Sequence, residues 1–205
     1  MKSRVFVLVS ILLLPFLLAA CATMSKEECV AADWRVVGET DGANGQDPKR
    51  RFADHTKSCQ KAGVIPDQSL WYQGFQQGLT RYCTPLNGLN AGQTGKPYNN
   101  VCPVDLSAGF LRGYSIGKAE YNQRSKVQNV QNRISTVERD MDEVRARLAK
   151  GQIDEQVGKS LLRKSEREID RLRFEKQREE LELRTIERDG EIFASNPNMT
   201  IPPRY

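Results

Sequence analysis

Lys150-Gly151-Gln152-Ile153-Asp154 separates two long runs of helical periodicity. Before it, Val127, Val130, Ile134, Val137, Met141, Val144 and Leu148 alternate by threes and fours, a heptad seam of three repeats. After it comes a second seam at Leu162, Ser165, Ile169, Leu172, Lys176, Glu179, Leu183 and Ile186. Gly151 stands where a glycine ends a helix, and Asp154 where an aspartate caps the next one. The stretch therefore predicts an antiparallel coiled-coil hairpin over residues 118–190, about 50 Å long at a rise of roughly 1.5 Å per residue. Folding back at Gly151 sets Val144 near Leu161 or Leu162, Val137 near Ile169 and Ile134 near Leu172, with a wet middle around Lys176 and Glu179. One continuous helix in a coiled-coil dimer is the rival arrangement, and Gly151 argues against it. Residues 191–205, with Ser195-Asn196-Pro197 and Pro202-Pro203, are expected to be a disordered tail.

Upstream of the hairpin the pattern is shorter and richer in cysteine. Lys26 to about Val37 reads as one amphipathic helix capped by Ser25, with Cys29, Trp34 and Val37 on one face; Gly38 and the Asp41–Gly45 stretch end it in a turn. Asp47 caps a second helix with Pro48 at its first position, running to about Ala62 before Gly63. A third helix spans Asp67 to Tyr82, and a fourth begins after Cys102. The fold class is all-α: a small disulfide-bonded helical head, residues 21–117, followed by the hairpin. Cys29, Cys59, Cys83 and Cys102, at spacings of 30, 24 and 19, contain no close pair of the kind zinc sites use, so disulfides are expected and a metal is not. Four cysteines allow three connectivities. The helix layout favours Cys29–Cys59, at the facing ends of two antiparallel helices, and Cys83–Cys102, closing a loop rich in glycine and proline.

A weak repeat lies in the head. Gln73-Gly74-Phe75-Gln76-Gln77-Gly78 recurs 39 residues on as Arg112-Gly113-Tyr114-Ser115-Ile116-Gly117, with Tyr82 and Tyr121 following at the same offset. Glycines four apart clear a helix stripe so that another backbone can approach. Gly74, Gly78, Gly113 and Gly117 therefore predict tight packing between the third and fourth helices, or else a backbone-lined groove for a small ligand. The ordered set Cys29, Trp34, Gly38, Asp41-Gly42, then Tyr72-x-Gly74, Gly78-Leu79, Tyr82-Cys83, then Gly88, Gly92, Gly95, Tyr98, Cys102-Pro103, Gly113-Tyr114 and Gly117 resembles an uncharacterised domain-of-unknown-function family of proteobacterial outer-membrane lipoproteins with a Cys/Gly-rich head. The resemblance covers about Cys21–Gly117. It implies a small envelope lipoprotein with a disulfide-bonded head, and brings no activity and no binding residues with it.

The first residues point the same way. Lys2 and Arg4 precede an apolar run from Val5 to Leu18, too short to span a bilayer at about 20 residues per crossing. The run ends in Leu18-Ala19-Ala20-Cys21, the pattern of a lipoprotein signal peptide over residues 1–20 with Cys21 as the lipidated residue. Two or three acyl chains hold a protein stably to a membrane, at roughly 0.8 kcal/mol per buried CH2. Ala22 in place of aspartate predicts an outer membrane lipoprotein on the periplasmic face. That address is oxidising, and Cys21 accounts for the odd one of five cysteines.

Composition narrows the chemistry. Without Lys2 and Arg4 the chain carries 29 basic against 26 acidic residues, a balance of +3, and the arginines of Arg163–Arg188 are matched by glutamates. Nucleic acid is therefore not an expected partner; a membrane through the lipid anchor and an envelope protein through the hairpin are. Gly92-Gln93-Thr94-Gly95-Lys96 approximates a phosphate loop, but Asn90 stands at the first glycine position and Pro97 where Ser or Thr would hold magnesium. Asp41…Asp47 approximates a calcium loop, but Ala43 and Phe52 occupy ligand positions. His55 is expected on the surface. With no catalytic constellation, the expectation is a non-enzymatic structural or protein-interaction module that needs no cofactor. The alternative is a small-ligand or peptidoglycan-binding head using the glycine-rich helices with Trp34, Trp71 and Tyr98, and a hydrolase built on Asp41 and Asp47 is a distant third.

Overall fold

The structure, a computed structural model, describes residues 24–198, so the signal segment, Cys21 and the last residues of the tail lie outside it. The described chain is helical without strands, and none of its helices is long and apolar enough to cross a membrane. It divides into two units. The first runs through Tyr82 and takes in Asn99–Val101; the second comprises Cys83–Tyr98 and the chain from Cys102 onward.

Four helices build the described part of the first unit. α1 (Lys26–Ala31) starts in a capping box, Ser25 and Glu28 each accepting the other's backbone N–H. The single helix expected to reach Val37 is instead broken at Ala32-Asp33. The Asp33 carboxylate accepts from the backbone N–H of Arg35 and Val36 and opens a new helix, α2 (Trp34–Ala43). Gly38 and Gly42, read as terminators, lie inside α2, and the turn comes at Gly45, whose φ of +63° is left-handed. α3 (Pro48–Gln60) is capped by Asp47, and α4 (Gln68–Tyr82) by Asp67. A disulfide joins Cys29 on α1 to Cys59 on α3, with 5.4 Å between Cα atoms.

Bare backbone holds α2 on α4. A Cβ on Gly38 or Gly42 would overlap the carbonyl oxygens of Trp71 and Phe75; one on Gly74 or Gly78 would overlap those of Arg35 and Glu39. Side chains are excluded from the line of contact, so the two backbones meet directly. Trp71, Phe75 and Leu79 fill the sides of this seam.

The second unit repeats the device. α5 (Pro85–Gln93), capped by Thr84, occupies the segment read as an irregular loop. Its Gly88 and Gly92 lie against the carbonyls of Phe110 and Tyr114 on α6 (Val104–Ala149), while Gly113 and Gly117 lie against Pro85 and Leu89. Gly74/Gly78 and Gly113/Gly117 thus do not pack on each other, as the 39-residue repeat suggested. Each pair takes a short glycine-bearing helix of its own unit. The short helices match as well: Gly38, Gly42 and Gly45 recur fifty positions on as Gly88, Gly92 and Gly95. Gly45 covers the ring of Tyr82, and Gly95 (φ +69°) covers that of Tyr121. Cys83 and Cys102 are bonded, and the Tyr98 hydroxyl accepts the backbone N–H of Cys102.

α6 then runs on without a break for 46 residues, so the head-to-hairpin boundary expected at residue 117 falls inside a helix. The chain turns at Gly151 (φ +65°), Asp154 caps α7 (Glu155–Ser195), and the two helices pack antiparallel. Ile134 and Leu172 share one buried cluster with Val130, and Val137 packs against it; Met141 and Ile169 are also buried. The wet middle is ordered: buried Gln123 donates both to the backbone carbonyl and to the carboxylate of Glu179, and Lys126 donates to Gln123. Of the tail expected over residues 191–205, residues 191–195 instead continue α7, where Phe193 (1% exposed) closes a core with Leu89 and Ile116, and residues 199–205 lie outside the described residues.

Candidate functional site

The densest polar chemistry of the first unit converges on Asp41. This residue sits on α2 between Gly38 and Gly42, so the backbone contact that needs those glycines also carries its carboxylate into the core. α3 supplies two cationic-type side chains one turn apart, Arg51 and His55, and α4 supplies Trp71. Arg51 Nε donates to Asp41 Oδ1 at 2.8 Å; His55 Nε2 lies 2.8 Å and Trp71 Nε1 3.0 Å from Oδ2. Asp41 is 3% and His55 1% exposed. Trp34 meets the His55 ring edge-on at 6.2 Å between centroids.

Burial opposes ionisation of Asp41, but the hydrogen bonds from His55, Arg51 and Trp71, with the attraction of His55, outweigh it and hold the carboxyl below its ordinary range. The arrangement is a polar pin through three helices. All four described cysteines are consumed in disulfides, so among the described residues the Asp–His pair has no free thiol beside it. Asp47 is occupied as a helix cap.

A second polar cluster belongs to the other unit. Glu120, buried on α6, accepts from Gln93 Nε2 at 2.7 Å and pairs with Arg124, which in turn approaches Glu187 at 4.0 Å. Gly190 leaves room beside Glu120. Among the described residues no group of three or more His, Cys, Asp or Glu is arranged to hold a metal.

The residues expected to matter fall as follows. Cys21 lies outside the described residues. Cys29, Cys59, Cys83 and Cys102 form the two disulfides. Gly74, Gly78, Gly113 and Gly117 are covered by backbone, which leaves no open glycine groove along them. Trp34 and Trp71 are buried, and Tyr98 packs on Phe110 and Tyr114. His55 is in the core, not on the surface. Gln93 is the last residue of α5, Thr94 caps it and bonds back to Asn90, and Gly95 and Lys96 follow outside the helix. The Asp41 cluster escaped the sequence reading. Its only local signal was Arg51 and His55 four apart on the face that carries Cys59.

The class of protein these features define is an all-helical, disulfide-bonded protein with two glycine-faced helix pairs, the second of which shares its long helix with a hairpin. Residues 33–119 match the family model described as "Protein of unknown function (DUF2799)". That span holds α2 to α5, the first turns of α6, both glycine pairings and the Asp41 cluster, and stops short of the hairpin. No curated protein and no solved structure matches the chain.

Proposed function

We propose that this chain is a membrane-anchored lipoprotein of the cell envelope that acts without catalysis, as a structural or protein-interaction module whose hairpin is the surface for a partner. The observation that carries the reading is Leu18-Ala19-Ala20-Cys21 after a basic start and a short apolar run. Two disulfides agree with an oxidising compartment, and Ala22 after the cysteine favours the periplasmic face of the outer membrane. The hairpin supports the interaction role: Asp154 caps its second helix, and that helix leaves Phe174 and Leu181 exposed.

The test is lipidation and its consequence. Cells expressing the full chain are labelled with an alkyne fatty acid and partitioned in detergent. The wild type labels and enters the detergent phase, whereas Cys21→Ser does neither. An unlabelled wild type recovered in the aqueous phase overturns the anchor.

A further inference from the structure

α7 carries ten Lys and Arg against eleven Asp and Glu, yet the structure sorts them by face. Four of the acids reach across to α6: Glu168 and Glu175 approach Arg133 at 4.0 and 2.9 Å, Glu179 is held by Gln123, and Glu187 approaches Arg124, while Glu155 and Glu180 pair with lysines of α7 itself. The opposite face is left basic. Arg167, Phe174, Leu181 and Arg188 follow one another at seven-residue steps along it, all exposed, with Arg163 and Arg178 beside them. Asp170 is an acid on this face, and it lies 3.7 Å from Arg173. Arg163, Arg167 and Arg188 have no ion pair among the described residues, while Phe174 and Leu181 are 71% and 62% exposed.

We infer that this outward face of α7 docks an acidic amphipathic helix of another protein, its apolar side chains seated on Phe174 and Leu181 and its glutamates and aspartates on the flanking arginines. The inference rests on the interaction role proposed for the hairpin and names the surface and the chemistry of the partner. One heptad between Phe174 and Leu181 is the spacing at which a third helix places successive knobs. Arginines on either side select a helix of opposite charge. A second copy of α7 would set arginine against arginine. A bilayer surface calls for a continuous apolar face, and here the central line begins and ends in arginine.

The test places a photo-crosslinking residue at Gln177, on the basic face, or at Ser135, exposed on α6, in the full chain expressed in cells. Expected is an adduct from Gln177 whose crosslinked peptide is a helix rich in Glu and Asp. Its yield should fall about tenfold when Arg163→Glu, Arg167→Glu and Arg188→Glu reverse the face. Those three side chains are exposed, and unchanged helical circular dichroism confirms that the variant folds. An adduct that survives charge reversal, or one that maps to lipid, nucleic acid or a second copy, overturns the inference. An adduct from Ser135 alone overturns it while leaving the interaction role standing. No adduct from either position overturns both.

Discussion

The carboxylate of Asp41 and the indole of Trp71 meet at 3.0 Å across the same two helices whose backbones touch at Gly38, and the carbonyl that covers Gly38 is Trp71's own. One residue of α4 thus closes the seam with its main chain and pins it with its side chain. Asp41→Ala would leave the buried donors of His55 and Trp71, and the half-buried Arg51, without their acceptor, a loss of about 3–5 kcal/mol. Urea unfolding at neutral pH measures it.

The same carboxylate predicts a pH dependence. Its folded pKa is depressed, so an unfolded chain takes up the proton first, near the ordinary aspartate value of about 3.9. Asp41's contribution is therefore complete above that pH and is lost as pH falls through the lower, folded value. A series of unfolding curves from neutral to acid should show this loss in the wild type and a flatter acid limb in Asp41→Asn.

Two glycine-to-alanine changes should have opposite signs. In an open helix such a change gains up to about 1 kcal/mol. Gly190 has no neighbour nearer than ordinary van der Waals contact for an added Cβ, so Gly190→Ala should stabilise. At Gly74 the added carbon overlaps the Arg35 carbonyl, and a well-packed contact forced apart typically costs about 1–3 kcal/mol. Thermal melts of the two variants decide it.

Phe193 and Phe174 lie on one helix, nineteen residues apart, with opposite expectations. Phe193→Ala removes a buried ring from the Leu89–Ile116 core and should cost about 3–5 kcal/mol. Phe174→Ala removes an exposed one and should leave stability within about 0.5 kcal/mol. Denaturant midpoints compare them directly.

The Cys29–Cys59 bond spans 30 residues of chain, and replacing both cysteines by serine should destabilise by about 2–4 kcal/mol. The 19-residue Cys83–Cys102 loop should cost slightly less by the same chain-entropy argument. Melts of the two double variants, each against the oxidised wild type, measure both losses.

What the sequence made legible was whatever local pattern and burial both express. The Ile134–Leu172 register follows from a seam whose period and inward face coincide, and the caps at Asp47 and Asp154 follow from side chains that bond their own next turn. α5 was illegible because Pro85-Leu86-Asn87-Gly88-Leu89-Asn90-Ala91-Gly92 is a poor helix by propensity. What offsets the two glycines is backbone contact with α6, from Gly88 to Phe110 and from Gly92 to Tyr114. The 39-residue repeat was visible, but its partner signal, the Gly-x-x-x-Gly-x-x-Gly of both short helices, was needed to see that each pair closes locally. His55 read as a surface residue because Asp54, Thr56, Lys57 and Ser58 surround it in sequence; only the convergence of three helices places it inside.

α6 passes without interruption from the glycine contact at Gly113 and Gly117 to the turn at Gly151. Mechanically it is a lever whose fulcrum is a line of main-chain contacts flanked by the Leu89–Ile116–Phe193 core. Over the roughly 50 Å between Gly117 and the turn, at about 1.5 Å per residue, a tilt of about 5° at the glycines displaces the tip by about 4 Å. A force applied to the hairpin is therefore delivered to α5, and through Cys83–Cys102 to the covalent loop that encloses it.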